Sequence, residues 1–287
     1  MSSHLTIGQC ATLACVWEVT IPKPGNVHRG ADFDNVGYLD FLTSAVVIAP
    51  AIEAAPRQPV GQTILEAVQA TEQWVGSNTN LGMILLIAPL AAVPREQTLS
   101  RGIADVMQRL DGEDARLVYQ AIELARPAGM GRVEDMDVSA APPGCLVTAM
   151  RAAADRDLVA RQYANNYVQL LENVAPWLCG ALERGWSIED VVVHVHLRLM
   201  STYPDSLIAR KCGSEVAEES ARRAAATLSL GEPGEVDYYS AVADLDRWLR
   251  SDGHRRNPGT TADMIAAGLF TMLREEIIGA SGLNRES

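Results

Sequence analysis

The chain has 287 residues, 48% hydrophobic and 21% charged, a balance that suits a soluble globular protein with enough length for a large core. Aromatics make up only 5% while alanine and leucine abound, which favours helices over a sandwich or barrel. A formal charge of −12 argues against a general nucleic-acid binder, which needs a basic face, but leaves a phosphorylated small molecule open if the cations are gathered in one place.

The start, "MSSHLTIGQCATLACVWEV", has no basic segment and carries Glu18, so no signal peptide is expected. Cys10, Leu13, Ala14 and Trp17 fall at i, i+3, i+4 and i+7 and predict a first helix. A break follows, "EVTIPKPGNVHRGADFD" from Glu18 to Asp34, and then "YLDFLTSAVVIAPAIEAA", a second helix with a bend expected at Pro50. A third covers "GQTILEAVQATEQWV" and stops at "GSNTN", whose Asn and Thr side chains can cap the apolar run Leu81–Val93. That run is too short to span a bilayer and predicts a central buried helix near 79–93.

"TLSRGIADVMQRL" and "GEDARLVYQAIELA" form a helical pair, and Arg126–Gly144 is a long loop with acidic clusters in its middle. One long helix is expected from Asp157 to Arg184, and "SIED" at Ser187 resembles a capping box that opens the next. "VVVHVHL" is the best candidate for a strand, although its surroundings favour helix; on a helix His194 and His196 point apart and cannot share a metal. Helices at about 213–229 and 235–251 follow, and "RNPGTTAD" opens the last one. The five cysteines, Cys10, Cys15, Cys145, Cys179 and Cys212, include no CxxC pair, so neither a zinc site nor a disulfide framework is expected, and the cytoplasm is the expected compartment. The expected fold is a single all-α domain, residues 1–287, of about ten or more helices.

Four breaks concentrate the polar residues: Pro22–Asp34, Gly76–Asn80, Tyr203–Gly213 and Asn257–Asp263. Each lies at a helix end, where free backbone amides can bind anions. In the first, Pro22 and Pro24 stiffen the chain around Lys23 and Gly25 allows a tight turn, so Lys23 is held ready for a phosphate; a rigid turn with solvated charges is the plainer alternative. Asp32 and Asp34, with Glu18 nearby, can hold Mg²⁺ or act as acid and base, while Asp34 or Asn35 is equally a helix cap. Asn78, Thr79 and Asn80 are neutral donors and acceptors that serve either a ligand or the following helix. Asp205, Arg210 and Lys211 could converge on a ligand or line a solvated face, and Thr260, Thr261 and Asp263 follow a second Pro-Gly turn.

In this order the breaks resemble those of the ATP:dephospho-CoA triphosphoribosyltransferase (triphosphoribosyl-dephospho-CoA synthase) family, over roughly residues 8–280. The matching segments are Glu18 with Pro22–Gly25, "GADFD", "SNTNLG", "PDSLIARKCG" and "NPGTTAD". The resemblance implies transfer of a triphosphoribosyl group from ATP to the 2′-hydroxyl of 3′-dephospho-CoA with release of adenine, Mg²⁺ as cofactor, and nucleotide and CoA-like small molecules as partners. No nucleic acid or membrane is implied, and a homo-oligomer is compatible with it. Carried over by position, Asp34, Asp205 and Glu18 are the implied catalytic carboxylates, and Asp32, Asp34, Asp205 and Asp263 the implied metal ligands. Lys23, Gly25, Arg29, Asn78, Thr79, Arg210, Lys211, Thr260 and Thr261 are implied to bind nucleotide or phosphate.

The chain departs from the family pattern in three places. Asp32 replaces a histidine, Asn80-Leu81 stands where the family has His-Lys, and "CGSEVAEE" replaces a glycine-rich stretch. These departures keep three other functions in view: biosynthesis of a C1-carrier cofactor of the methanopterin or methylofuran type, metal-dependent N-glycosidic hydrolysis, and a non-catalytic helical adaptor.

Overall fold

Local capping decides where the chain begins its helices. Thr6 opens the first with a capping box, its hydroxyl accepting from the Gln9 N–H at 3.3 Å while the Gln9 side chain accepts from the Thr6 N–H at 2.9 Å. The computed structural model describes residues 4–33, 36–126 and 144–278, and among them every regular element is helical. The first half comprises α1 (Ile7–Thr20), α2 (Tyr38–Val47), α3 (Ala49–Ala54), α4 (Val60–Val75), α5 (Leu81–Ala91), α6 (Leu99–Arg109) and α7 (Gly112–Ala125). The second comprises α8 (Leu146–Ala153), α9 (Leu158–Ala164), α10 (Ala175–Glu183), α11 (Ile188–Thr202), α12 (Ser206–Cys212), α13 (Ser214–Leu228), α14 (Val236–Arg250) and α15 (Gly259–Arg274).

The apolar run predicted as a central helix is α5, in which every residue except Gly82 is buried. It packs against α1, α4 and α15 inside a large core that also takes in α6, α7, α9 and the buried face of α11. A second, smaller core gathers Leu197, Met200, Ile208, Ala217, Ala224, Tyr238, Leu245 and Leu249 from α11 to α14. α11 joins the two, giving Val191, Val192, Val195 and Leu199 to the large core and Leu197 and Met200 to the small one. "VVVHVHL" is therefore helical, with neighbouring residues buried on opposite sides of the same helix.

Three expectations change. The helix expected at 157–184 is broken: Asn166 (φ 58°) and Tyr167 (φ 66°) are left-handed, and a π-turn over Leu170–Val174 precedes α10. Gln162 holds the break together, its amide donating to Leu158 O and Gln169 Oε1 while its carbonyl oxygen accepts from the Leu170 N–H. The bend in the second helix falls at Ile48, where α2 gives way to α3, with Pro50 in the first turn of α3. Residues 146–153, which carried no predicted element, form α8. The stretch Tyr38–Arg57 is long and apolar enough to cross a bilayer by length and composition, and one third of it is buried in the fold. The loop predicted at 126–144 lies, except for its ends, outside the described residues.

Proline in the middle of α5 creates a need that two tyrosines meet. Pro89 has no N–H for the Leu85 carbonyl, and water cannot reach it. Tyr163 donates its hydroxyl to Leu85 O at 2.6 Å, and Tyr167 donates to Leu86 O at 3.1 Å with Leu85 O at 3.4 Å. Replacing both tyrosines with phenylalanine leaves that carbonyl unmet and should cost about 1–3 kcal/mol in urea unfolding. In a Pro89→Ala background, where a backbone N–H returns, the same double substitution should cost clearly less.

Candidate functional site

Asp205 is the first side chain to place, because it ties two distant breaks together. It is the N-cap of α12, Oδ1 accepting from the Leu207 and Ile208 N–H groups at 2.8 and 3.0 Å. Its other oxygen caps a second helix: Oδ2 accepts from the N–H and hydroxyl of Thr261, in the first turn of α15, at 2.7 and 2.8 Å. Burial pushes the Asp205 carboxyl up, against the four donors that favour its anion. Asp205 was expected to serve a metal or the reacting sugar; the structure commits both of its oxygens to helix starts.

The Pro-Lys-Pro-Gly turn also takes an internal role. Lys23 is completely buried, with Nζ 2.9 Å from Glu18 Oε1 and 3.2 Å from Ile21 O, and it donates as well to Glu18 O. All three ammonium protons are thereby engaged, closing the C-terminal end of α1. Its paired Glu18 is also buried, and desolvation raises that carboxyl while Lys23 opposes the rise. Lys23 was expected to meet phosphate; here its donors face the protein.

Gly25 has φ 77°, and a Cβ at that position would press on Pro258 and Leu249, so the turn needs glycine for both conformation and space. Its N–H donates to Asp246 Oδ1 at 2.7 Å, Asn26 donates to Asn257 Oδ1 at 2.7 Å, and Arg250 donates to Asn26 O at 2.6 Å. The first break therefore docks on the last one. Gly25 lends its shape to this contact, and its N–H is already taken.

Asp263, one turn into α15, is where the breaks meet. Its carboxylate lies so close to Gly82, at the start of α5, that a Cβ there would overlap it. Among the described residues no hydrogen-bond or ion-pair partner approaches it, although the side chain is packed in the interior with only partial solvent access. Desolvation pushes its carboxyl well above the usual range; Glu18 and Asp205 add to the rise, and Arg210 opposes it from a distance. An ionisable group with this environment, at the contact of several loops, is the mark of a functional position.

The remaining predicted residues divide between open and committed. Lys211 is half-buried with no carboxylate partner among the described residues, and desolvation lowers its pKa. Arg29 is exposed and likewise unpartnered among them. Arg210 pairs with Asp157 at 2.5 Å, and Asp157 also caps α9. Asn78 accepts from the Leu81 N–H at 3.1 Å, and buried Thr79 shares a hydrogen bond with Ser44. Beside Asn78 and Asn80 there is a space of about 10 Å³, room for no more than a water, and the buried Asn80 amide nitrogen has no partner among the described residues. Thr260 and Thr261 are buried.

Asp32 is exposed, and its Oδ1 accepts from the Tyr38 N–H at 2.6 Å. The cap expected from Asp34 or Asn35 thus comes from Asp32 and Asp40 around Gly37, and Asp34 itself lies outside the described residues. Residue type and motif position assign no site role to Gly82, Asp157 or His196. The first was a lone glycine in an apolar run, the second a cap at the start of "DLVARQY". His196 is fully buried with both ring nitrogens unpartnered among the described residues, and its pKa is held far down by burial and by Lys23.

None of the curated proteins matches the chain. A crystal structure from Archaeoglobus fulgidus, described as that of a candidate triphosphoribosyl-dephospho-CoA synthase, shares the fold with a TM-score of 0.64 and 26% identity. The alignment covers 82% of this chain and 98% of that one. The model of the family ATP:dephospho-CoA triphosphoribosyl transferase (CitG) matches residues 4–281. With nearly its whole length matched, this chain belongs to the ATP:dephospho-CoA triphosphoribosyl transferase family.

Proposed function

We propose that the chain transfers the triphosphoribosyl group of ATP to 3′-dephospho-CoA at the contact of α1, α5, α12 and α15, with Asp263 as the carboxylate at the reacting centre. The observation that carries this is the unpartnered Asp263 carboxyl, set against Gly82 and raised by Glu18 and Asp205. In the transfer, the acceptor 2′-oxygen bonds to C1′ of the donor ribose as the bond from C1′ to adenine breaks. The hydroxyl proton leaves with adenine, so no base is consumed overall. Positive charge builds on the ribose as that bond stretches, and a desolvated carboxylate in place before the reaction begins is suited to stabilise it. The exposed Arg29 and the half-buried Lys211 are the cations with donors to offer a triphosphate. Lys23 acts behind them as a buried clamp on Glu18, and Arg210 as a more exposed clamp on Asp157.

Magnesium fits this site only as an ion shared with the substrate. Among the described residues no three histidine, cysteine or carboxylate groups converge as a cage, Asp205 is filled by its four donors, and Asp32 serves α2. Asp263 is the described carboxylate that would hold it, with phosphate and water oxygens completing the shell. When bound, the ion would neutralise phosphate charge. We place the reaction in the cytoplasm, which suits five free cysteines. The family match and the solved relative do not favour the C1-carrier enzyme, the hydrolase or the adaptor.

Four measurements bear on this function. Incubated with ATP and Mg²⁺, the protein should release adenine only when dephospho-CoA is present; release without acceptor would point to hydrolysis, and no release would sink the assignment. Asp263→Asn should lower kcat by roughly 10²-fold or more, the scale of a group acting on transition-state charge. The same variant should be more stable than the parent at pH 7–8. The folded carboxyl is raised above the unfolded value of about 3.9, so between the unfolded and the folded pKa the unfolded chain sheds a proton that the fold retains, and Asp263 subtracts stability as pH climbs through that interval. The gain should be present at neutral pH and vanish below about pH 3, where both states are protonated.

The fourth measurement concerns the clamp. Lys23→Met or Glu18→Gln alone leaves a buried group without its partner and should cost about 3–5 kcal/mol in chemical denaturation. The double variant should recover much of that loss. Non-recovery would mean that Lys23 and Glu18 act separately.

A further inference from the structure

The end of α5 remote from Asp263 holds a second cavity, of about 340 Å³, where α5 meets the starts of α4 and α7 and the end of α6. From Gly82 to Ala92 the helix rises about 15 Å, and no residue assigned above to the transfer site lines this space. Its volume falls within the range typical of small-molecule pockets, roughly 300–1,000 Å³. Val60, Ala92, Val106 and Leu110 give it apolar walls, and Arg109, Asp111, Glu113 and the buried Asp114 line it as well.

Those charges are not equally free. Asp111 caps α7, accepting from the Glu113 and Asp114 N–H groups at 2.8 and 3.0 Å. Asp114 accepts from the Gly61 N–H at 2.7 Å and the Asp111 N–H at 3.2 Å, so it serves the starts of two helices. Glu113 is held by Arg116, with Nε at 2.8 Å and a terminal nitrogen at 2.5 Å. Arg109 differs: Nε donates to Asp105 O at 3.2 Å, and no carboxylate pairs with it among the described residues. A guanidinium has five N–H donors, so four remain available at the mouth.

We infer that this cavity binds a small amphipathic monoanion, its aliphatic body along the apolar walls and its carboxylate or phosphate head on the Arg109 guanidinium. The planar fork of donors suits either headgroup. An amine would find one carboxylate oxygen with no donor among the described residues, Asp111 Oδ2, and the Arg109 cation lining the same space.

Isothermal titration of the full chain with octanoate, octyl phosphate, octanol and octylamine tests the inference. Octanoate or octyl phosphate should bind saturably, one molecule per chain, about tenfold or more tighter than octanol and octylamine. The tighter of the two anions identifies the headgroup. Arg109→Gln, at an exposed position, should bring anion affinity down to that of octanol while leaving adenine release unchanged. Ala92→Phe, which puts a ring into the cavity against its apolar wall, should weaken binding of the anions and the alcohol alike. The inference is overturned if neither anion binds saturably, if octylamine binds as tightly, or if anion binding survives Arg109→Gln intact. Where Ala92→Phe does not fold, the Arg109→Gln titration decides alone.

Discussion

One carboxylate starting two helices is the constraint on which the site depends. Asp205 accepts from the first turn of α12 through one oxygen and from the first turn of α15 through the other. Neither helix start is exposed enough to let water do this work, and an uncapped start buried in protein is costly. The shared cap fixes where α15 begins relative to α12, and two residues beyond Thr261 that position puts Asp263 against Gly82. Moving the cap would move the carboxylate proposed to act on the sugar.

An all-helical chain gathers its chemistry at such ends because helix interiors have no backbone groups to spare. Here the ends that matter lie along the seam between the large core and the smaller one built on α11 to α14. Most charges along the seam are matched, Glu18 with Lys23 in the interior, Asp157 with Arg210 and Asp246 with Arg250 nearer the surface. Matching of this kind spends cations on the scaffold. It leaves few for a ligand, which is why the overall acidity of −12 and a polyanionic substrate can coexist only if the remaining cations are well placed.

The sequence made the helices legible and the tasks of individual side chains much less so. Periodicity located α1, α4, α6, α7, α13 and α14, since each carries an apolar stripe over several turns. It failed at 157–184, where the stripe continues across two left-handed residues and a π-turn that no period reveals. Motif order carried the family, because Pro-Lys-Pro-Gly and Asn-Pro-Gly junctions survive as shapes; the structure docks one on the other through Gly25, Asn26 and Asn257. Roles did not follow from residue type. A lysine between prolines reads as a phosphate contact until its ammonium is seen buried on Glu18. An aspartate after Pro204 reads as a ligand until both oxygens are found on backbone donors. Conversely, the close approach of Gly82 to Asp263 spans most of the chain, and nothing local in either segment announces it.

What separates Asp263 from these neighbours is that the fold gives it nothing. Asp205, Glu18 and Asp157 each have donors that offset part of the cost of desolvation, whereas Asp263 is desolvated beside two further carboxylates and has no hydrogen bond among the described residues. A position that only supported the fold would gain by losing that charge, since asparagine fills the same space without the penalty. Keeping an aspartate there makes physical sense if positive charge arrives from outside, as a ribose losing its base or as an ion carried in on phosphate. The free energy withheld in the empty protein then becomes available only when that charge develops, the condition under which an interaction speeds a reaction rather than merely tightening binding.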